Sequence, residues 1–323
     1  MTKRSRLAIT RKIMRIKDID EIELIKRLSK NFRLDNTVIK GSGDDAAVIK
    51  WTKEKYLLYT CDMTIEGVHF DLRKTTPFQI GWKALGRNIS DIGAMGGVPK
   101  YAVVSLAIDR GQKLSVADGI CKGLKSIADR FGVNIVGGDM AVSKNIVIDV
   151  SLIGEVERKK LTLRGGAKIG DVILVTGSLG CSIKGKHLSF IPRVNEAREI
   201  LKKFKINSMI DISDGLALDL SRILEASGVG SCIYENAIPL SKDAVSVNNA
   251  LYDGEDYELL FTMGVKEVKR FFRTIFNKMS TPVTLIGEIT AKKDGCKIVR
   301  KDGKEEDMKI KGYLHFEEDI KKR

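Results

Sequence analysis

Histidine, proline and aromatic side chains are scarce in this chain of 323 residues, with 3 His, 5 Pro and 6% Phe, Trp and Tyr together. The histidines His69, His187 and His315 stand far apart and form no HExxH pair, which removes the commonest helical zinc motif. The five cysteines, Cys61, Cys121, Cys181, Cys232 and Cys296, are odd in number and scattered, with no CxxC. That pattern argues against a disulfide scaffold or a zinc site and for a reducing cytosol. The few aromatics do not alternate with basic residues, so no stacking platform for single-stranded nucleic acid is expected. No apolar run reaches the roughly 18 residues of a membrane helix. The basic start, Met1 to Lys17, lacks the apolar core of a signal peptide. A cytoplasmic chain without nucleic-acid or membrane partners is the expectation.

What is present is glycine, aspartate and excess positive charge. Lys plus Arg number 56 against 42 Asp plus Glu, a net charge of +14. Such a balance favours an anionic partner, for example a nucleotide or a phosphorylated metabolite. The stretch Gly41-Ser42-Gly43-Asp44-Asp45 stands before the apolar run Ala46–Ile49. Alone it reads as a solvated turn leading into a strand. It gains weight because Asp62, Asp91, Asp139, Asp211 and Asp214 recur in Gly- or Ser-bearing segments flanked by apolar residues. Adjacent carboxylates repel, and hard cations such as Mg²⁺ take oxygen ligands, so the set suggests a shared polyvalent metal site. Asp44 suits a turn role as well as a metal role. Asp211, Ser213 and Asp214 suit helix caps as well. Gly180-x-x-x-x-Gly185-Lys186 nearly spells a P-loop, but His187 stands where Ser or Thr is required, so an ordinary basic loop is expected.

Periodicity alternates strands and helices. Asp18-x-x-Glu21 resembles a capping box before a helix with Ile22, Ile25, Leu28 and Phe32 on one face. A strand over Tyr56–Thr60 ends at Cys61-Asp62. Thr76-Pro77-x-Gln79 opens a helix carrying Lys83, Asn88 and Asp91 as polar positions. Strands follow over Tyr101–Ile108, Val133–Val136 (ending in Gly137-Gly138-Asp139) and Asn145–Val156, with a helix over Ser115–Phe131. After a basic turn, Glu157–Arg164, come strands at Val172–Thr176, Met209–Ile212, Tyr257–Thr262 and Val283–Ile289, and helices at 193–205, Leu216–Ala226 and Val265–Lys278. The pattern is α/β or α+β layering. The length suits two domains of roughly 100–200 residues: a basic arm at 1–17, then domains over 18–160 and 161–323. The strand at 149–156 is echoed at 282–289 (DVSLIGEV against PVTLIGEI), as related halves would show.

The ordered series GDDAA, TCDM…EGVHF, KALGRNISDIGAMGG, VGGD, DISDGL, GEDYELLFT and IGEI resembles the thiamine-monophosphate kinase family. This family lies within the aminoimidazole-ribonucleotide-synthetase-like superfamily, and the resemblance covers roughly residues 20–316. It implies two α/β domains, the first giving strands to the barrel of a homodimer. It implies ATP-dependent conversion of thiamine monophosphate to thiamine pyrophosphate with several Mg²⁺ ions. Asp45, Thr60, Asp62, Asp91, Asp139, Asp211 and Asp214 would hold metal. Gly138, Asp139, Arg164 and Ser213 would meet ATP, and His69, Glu255 and Tyr313 the thiamine substrate. The acceptor is itself a phosphate monoester, mostly dianionic at neutral pH. It therefore needs charge relief and alignment, not a general base. Departures from the family pattern fall at Asp253 before Gly254-Glu255-Asp256, at Met140 after Asp139, and in the basic turn around Ile183. A rival enzyme of the superfamily is disfavoured. A selenophosphate synthetase would carry a reactive Cys near the N-terminus, whereas the first here is Cys61, and a hydrogenase-maturation relative would end in Cys, not Lys322-Arg323. A non-enzymatic nucleic-acid-binding protein would cluster basic and aromatic residues, not disperse Gly-Asp elements.

Overall fold

A computed structural model describes residues 15–19, 21–274, 276 and 279–315. Most of the expected arm at 1–17, and positions 275, 277 and 278 of the expected helix Val265–Lys278, lie outside the described residues. Contacts divide the chain into one unit of residues 1–33 with 314–323 and another of residues 34–313. In the first, helix α1 (Glu21–Ser29) buries none of its residues. Asp18 accepts the Arg15 N–H at 2.9 Å and so closes the turn before the helix, in place of the expected cap. Glu21 accepts the His315 N–H at 2.9 Å.

The larger unit holds two mixed sheets. The first runs β1 (Val38–Lys40), β2 (Ala47–Lys50), β3 (Lys55–Ile65), β6 (Val147–Glu157), β4 (Val98–Ile108) and β5 (Asn134–Val142) in spatial order. Successive strand residues face opposite sides, so Leu58, Ile148, Val150, Leu152 and Val156 are buried on one face. Two helices, α2 (Pro77–Ala94) and α3 (Leu114–Phe131), share that core. Thr76 accepts the Gln79 N–H and Gln79 accepts the Thr76 N–H, the capping box read from the sequence. The opposite face leaves Tyr59, Met63, Tyr101 and Val103 exposed.

The second sheet is ordered β13 (Glu305–Asp307), β12 (Cys296–Val299), β9 (Gly230–Tyr234), β11 (Val283–Thr290), β7 (Asp171–Thr176), β10 (Leu259–Gly264) and β8 (Ser208–Asp211). Helices cover both its faces. Leu260, Ile173 and Val175 join one core with α5 (Leu216–Ser227) and α6 (Val247–Tyr252). Leu259, Phe261 and Leu174 join the other with α4 (Val194–Lys203) and α7 (Val265–Thr274). The echoed segments are both interior strands: β6 lies between β3 and β4, and β11 between β9 and β7.

Among the strands that outrun the sequence expectation, two do so through the residues expected to end them. β3 continues through Cys61 and Asp62 to Ile65, because its ladder with β6 is unbroken over the whole length. β5 does not stop before its glycines but passes through Gly137, Gly138 and Asp139 to Val142, paired in parallel with β4.

Helices α2 and α3 approach closely through glycine. A Cβ on Gly81 would lie 2.0 Å from the Ile120 carbonyl oxygen, and one on Gly123 1.9 Å from that of Phe78. Both contacts are to backbone, so neither helix can yield by turning a side chain. Gly81→Ala is expected to lower unfolding stability by about 1–3 kcal/mol, although alanine is the better helix former. Urea unfolding checks this, and an unchanged or increased midpoint would contradict the interlocked packing.

Candidate active site

The site is built where α2 meets the inner face of the first sheet and the edge of the second. Three carboxylates, of Asp45, Asp91 and Asp211, bring oxygens within 4.8 Å of one another. Asp45 precedes β2, Asp91 lies on α2 and Asp211 ends β8. The Thr60 hydroxyl donates to Asp91 at 2.6 Å, and the Ser90 hydroxyl to Asp211 at 2.5 Å. Burial, then the charges of Asp62, Asp211 and Asp45, push Asp91 well above the usual carboxylate range. Asp211 is raised in the same way, by burial and then by Asp45. One oxygen of Asp45, Oδ2, is buried without a hydrogen-bond partner. An orphaned carboxylate oxygen beside two others is a donor set suited to a hard divalent cation.

Arginines line the cluster. Arg164 grips Asp45 Oδ1 through Nε at 3.1 Å and Nη2 at 2.5 Å, while its backbone N–H reaches Asp44. Asp44 is pushed up to about 6, by burial and then by Asp45. Arg87 donates to Asp62 at 3.3 Å and to the Met63 carbonyl at 2.6 Å. Arg222 pairs with Asp214 and Asp219, each at 2.6 Å.

The junction at Ser213 and Asp214 corrects one expectation. The residue before α5 is Gly215, and no side chain caps there. Instead buried Asp219 reaches back from the first turn to accept the Ser213 and Asp214 N–H groups at 3.0 and 2.9 Å. Asp219 is pushed up to about 7 by burial and then by Asp214. Sequence reasoning missed it. Its signal was an acid within the otherwise apolar first turn of the helix, Leu216–Leu220, four residues beyond Gly215.

A second group lies along α2 from the carboxylates. Lys83 Nζ, on a side chain with 0% exposure, donates to the His69 carbonyl at 2.8 Å and to Glu255 Oε1 at 2.5 Å. His69 Nδ1 accepts the Ile65 N–H at 3.0 Å, so a neutral ring carries its proton on Nε2. Glu255 has φ +56° and Tyr257 φ +51°, and the Tyr257 ring stacks on Phe190 with centroids 3.9 Å apart. Tyr313 is joined through its backbone N–H to the Asp214 carbonyl at 2.9 Å.

Two expected site residues stand elsewhere. Gly138 and Asp139 lie on β5, an exposed edge strand. Asp139 is in register with Ser105 and, through it, with Asp149, on the sheet face opposite the carboxylate cluster. Lys186 of the near-P-loop donates to Glu258 and to the Ser178 carbonyl, both at 2.8 Å. Glu258 also takes a two-pronged contact from Arg193. Two short 3-10 turns, Ser182–Lys184 and Lys186–Leu188, follow the glycine turn where a P-loop has a long helix.

Comparison with known proteins adds names to this geometry. The chain matches the family AIR synthase related protein, N-terminal domain, over residues 43–156, and AIR synthase related protein, C-terminal domain, over residues 168–299. The thiamine-monophosphate kinase of Buchnera aphidicola subsp. Schizaphis graminum is 35% identical, across 93% of this chain and 99% of that protein. That of Bacillus subtilis is 32% identical, across 92% and 100%. The solved structure of AaThiL complexed with AMPPCP and TMP is 31% identical and covers 94% of this chain and 99% of its own, with a TM-score of 0.80. The HypE–HypF complex, 21% identical at a TM-score of 0.71, shares the fold.

Asp256, next to Glu255, supplies a pH test. It is buried, accepts the Gly180 N–H and the Ser182 hydroxyl, and is pushed up to about 6 chiefly by burial. An acid whose folded value exceeds its unfolded value binds protons more tightly when folded. Its stabilisation is therefore full below pH 4 and is lost as pH rises towards 6, by at most about 3 kcal/mol. Asp256→Asn cannot titrate, so its stability relative to the parent should climb over that interval in urea melts. A flat difference would contradict the assignment.

Proposed function

Because the chain belongs to the thiamine-monophosphate kinase family, we propose that it transfers the terminal phosphoryl group of ATP directly, and in line, to the phosphate of thiamine monophosphate. The observation that carries this is the Asp45, Asp91 and Asp211 cluster with its orphaned oxygen, reached from both sheets and continuous along α2 with His69 and Glu255. That AaThiL was solved with AMPPCP, an ATP analogue, and with TMP supports both substrates.

Asp45, Asp91 and Asp211, with Thr60, Asp62 and Asp214 around them, would hold Mg²⁺ ions. Bound there, Mg²⁺ neutralises the meeting phosphates and the charge that develops on the transferred group. The remaining work falls to the chain's own groups. Arg164 and Ser213 would meet ATP beside the carboxylates, whereas Gly138 and Asp139, on the edge strand with Asp139 on the other sheet face, stand apart from this site. Arg164 also shields Asp45 from its neighbours. His69 offers an Nε2–H donor to an anionic oxygen. Glu255 faces the cationic thiazolium ring, and Tyr313 closes the substrate end. No general base is required, because the acceptor oxygen is already ionised.

The direct test is incubation with Mg·ATP and thiamine monophosphate, with thiamine pyrophosphate as the expected product. Absence of that product with active ATP hydrolysis would overturn the substrate assignment. Asp91→Asn should lower kcat by about 10²–10³, the loss seen for one electrostatic stabiliser. It should also shrink the rise in melting temperature that Mg²⁺ gives the parent by mass action. Equal Mg²⁺-induced shifts in both proteins would remove Asp91 from the metal site.

The exposed apolar residues Tyr59, Met63, Tyr101 and Val103 support a homodimer in which this sheet face packs on a second copy as a barrel. Sedimentation should give a dimer, and Tyr101→Glu a monomer. A monomeric parent at micromolar concentration would count against the proposal.

A further inference from the structure

Lys83 is costly where it stands. Taking an ammonium wholly out of water carries a penalty that its ion pair must offset. An apolar side chain would pack the same space between α2 and its neighbours without that penalty. What Lys83 does instead is join two chain segments from opposite halves. Its ammonium donates to the carbonyl of His69, which follows β3 in the first half, and to the carboxylate of Glu255, which precedes β10 in the second.

The second partner needs holding. Glu255 occupies the left-handed backbone region, with φ +56°, directly after Gly254 at φ +72°. A side-chain-bearing residue there is strained and persists only where its surroundings enforce it. Two contacts do so: its N–H donates to the Ser213 carbonyl at 2.7 Å, and Oε1 accepts from Lys83. The Glu255 side chain nevertheless keeps 22% of its surface exposed. The carboxylate thus meets Lys83 with one oxygen while part of it remains open to a ligand.

We infer that Lys83 is a positioning residue for the acceptor substrate. It fixes the His69 segment and the Glu255 carboxylate at one separation, so that a single molecule bearing a phosphate and a cationic ring is gripped at both. The inference rests on the proposed substrate. Lys83 itself touches no reacting atom. It acts through Glu255 and the His69 backbone, the two groups to which its ammonium donates.

The experiment compares Lys83→Met, Lys83→Gln, Glu255→Gln and the Lys83→Met/Glu255→Gln pair with the parent. Each is assayed for the KM of both substrates, and thiamine monophosphate binding is measured by calorimetry without ATP. Lys83→Met should raise the KM and Kd for thiamine monophosphate about 10- to 100-fold, the scale of one hydrogen bond to a charged group. The KM for ATP should stay within about twofold. Lys83→Gln keeps a donor for the His69 carbonyl and should fall between parent and Lys83→Met. The double variant should be less impaired than the two single effects combined, because the two residues share the Lys83–Glu255 contact. Equal rises in both KM values, additive single effects, or a lowered melting temperature with an unchanged Kd would each overturn the inference. So would failure of both Lys83 variants to fold, which would assign the residue to stability. If the parent itself neither binds nor phosphorylates thiamine monophosphate, the substrate proposal falls first and the inference with it.

Discussion

Mutual repulsion among buried carboxylates is the constraint around which this chain is arranged. Asp45, Asp91 and Asp211 crowd within 4.8 Å, and burial makes their repulsion far stronger than it would be in water. The surrounding residues are compensations of increasing reach. Hydroxyls of Thr60 and Ser90 donate into the cluster, Arg164 forks onto Asp45, and Arg87 and Arg222 hold the outer acids Asp62, Asp214 and Asp219. The compensation is incomplete, since one Asp45 oxygen is left without a partner.

The same constraint makes the two halves interdependent. The three acids come from the turn before β2, from α2 and from the end of β8, and no segment alone could assemble them. Hydrogen bonds from Ser90 to Asp211 and from Lys83 to Glu255 cross between the halves. Apolar packing does likewise: Ala94 of α2 lies in a core of the second sheet, and Val194 of α4 in that of the first.

Much of this was legible in the sequence, for physical reasons that differ by residue. The capping box at Thr76 and Gln79 is a local signal, and it survives in the structure because nothing tertiary competes with it. The alternation along β6 reads directly as one buried and one outer face. The aspartates stood out because glycine and serine beside an acid are uncommon within apolar runs. Other features depended on partners far along the chain. The length of β3 follows from its eleven-residue ladder with β6, which overrides the polar interruption at Cys61 and Asp62. Asp219 and Lys83 each looked like an ordinary polar helix position, and only their burial sets them apart. Asp139 shows the reverse: its motif is clear, but the register of β5 places it on the far side of the sheet from the other acids.

Helix α2 carries Lys83, Arg87 and Asp91, spaced by four residues on one stripe, with Ser90 beside them. The close approach of Gly81 and Gly123 to the facing backbones denies that helix any freedom to slide. At 1.5 Å of rise per residue, Lys83 and Asp91 stand about 12 Å apart along the axis. The helix is therefore a ruler: one end is pinned to the Glu255 carboxylate, and the other sets Asp91 among the clustered acids. Its graduation is peptide geometry, indifferent to the loops around it. A single residue inserted between the two marks would turn one end by about 100° against the other, and Lys83 and Asp91 could no longer reach Glu255 and the acid cluster together.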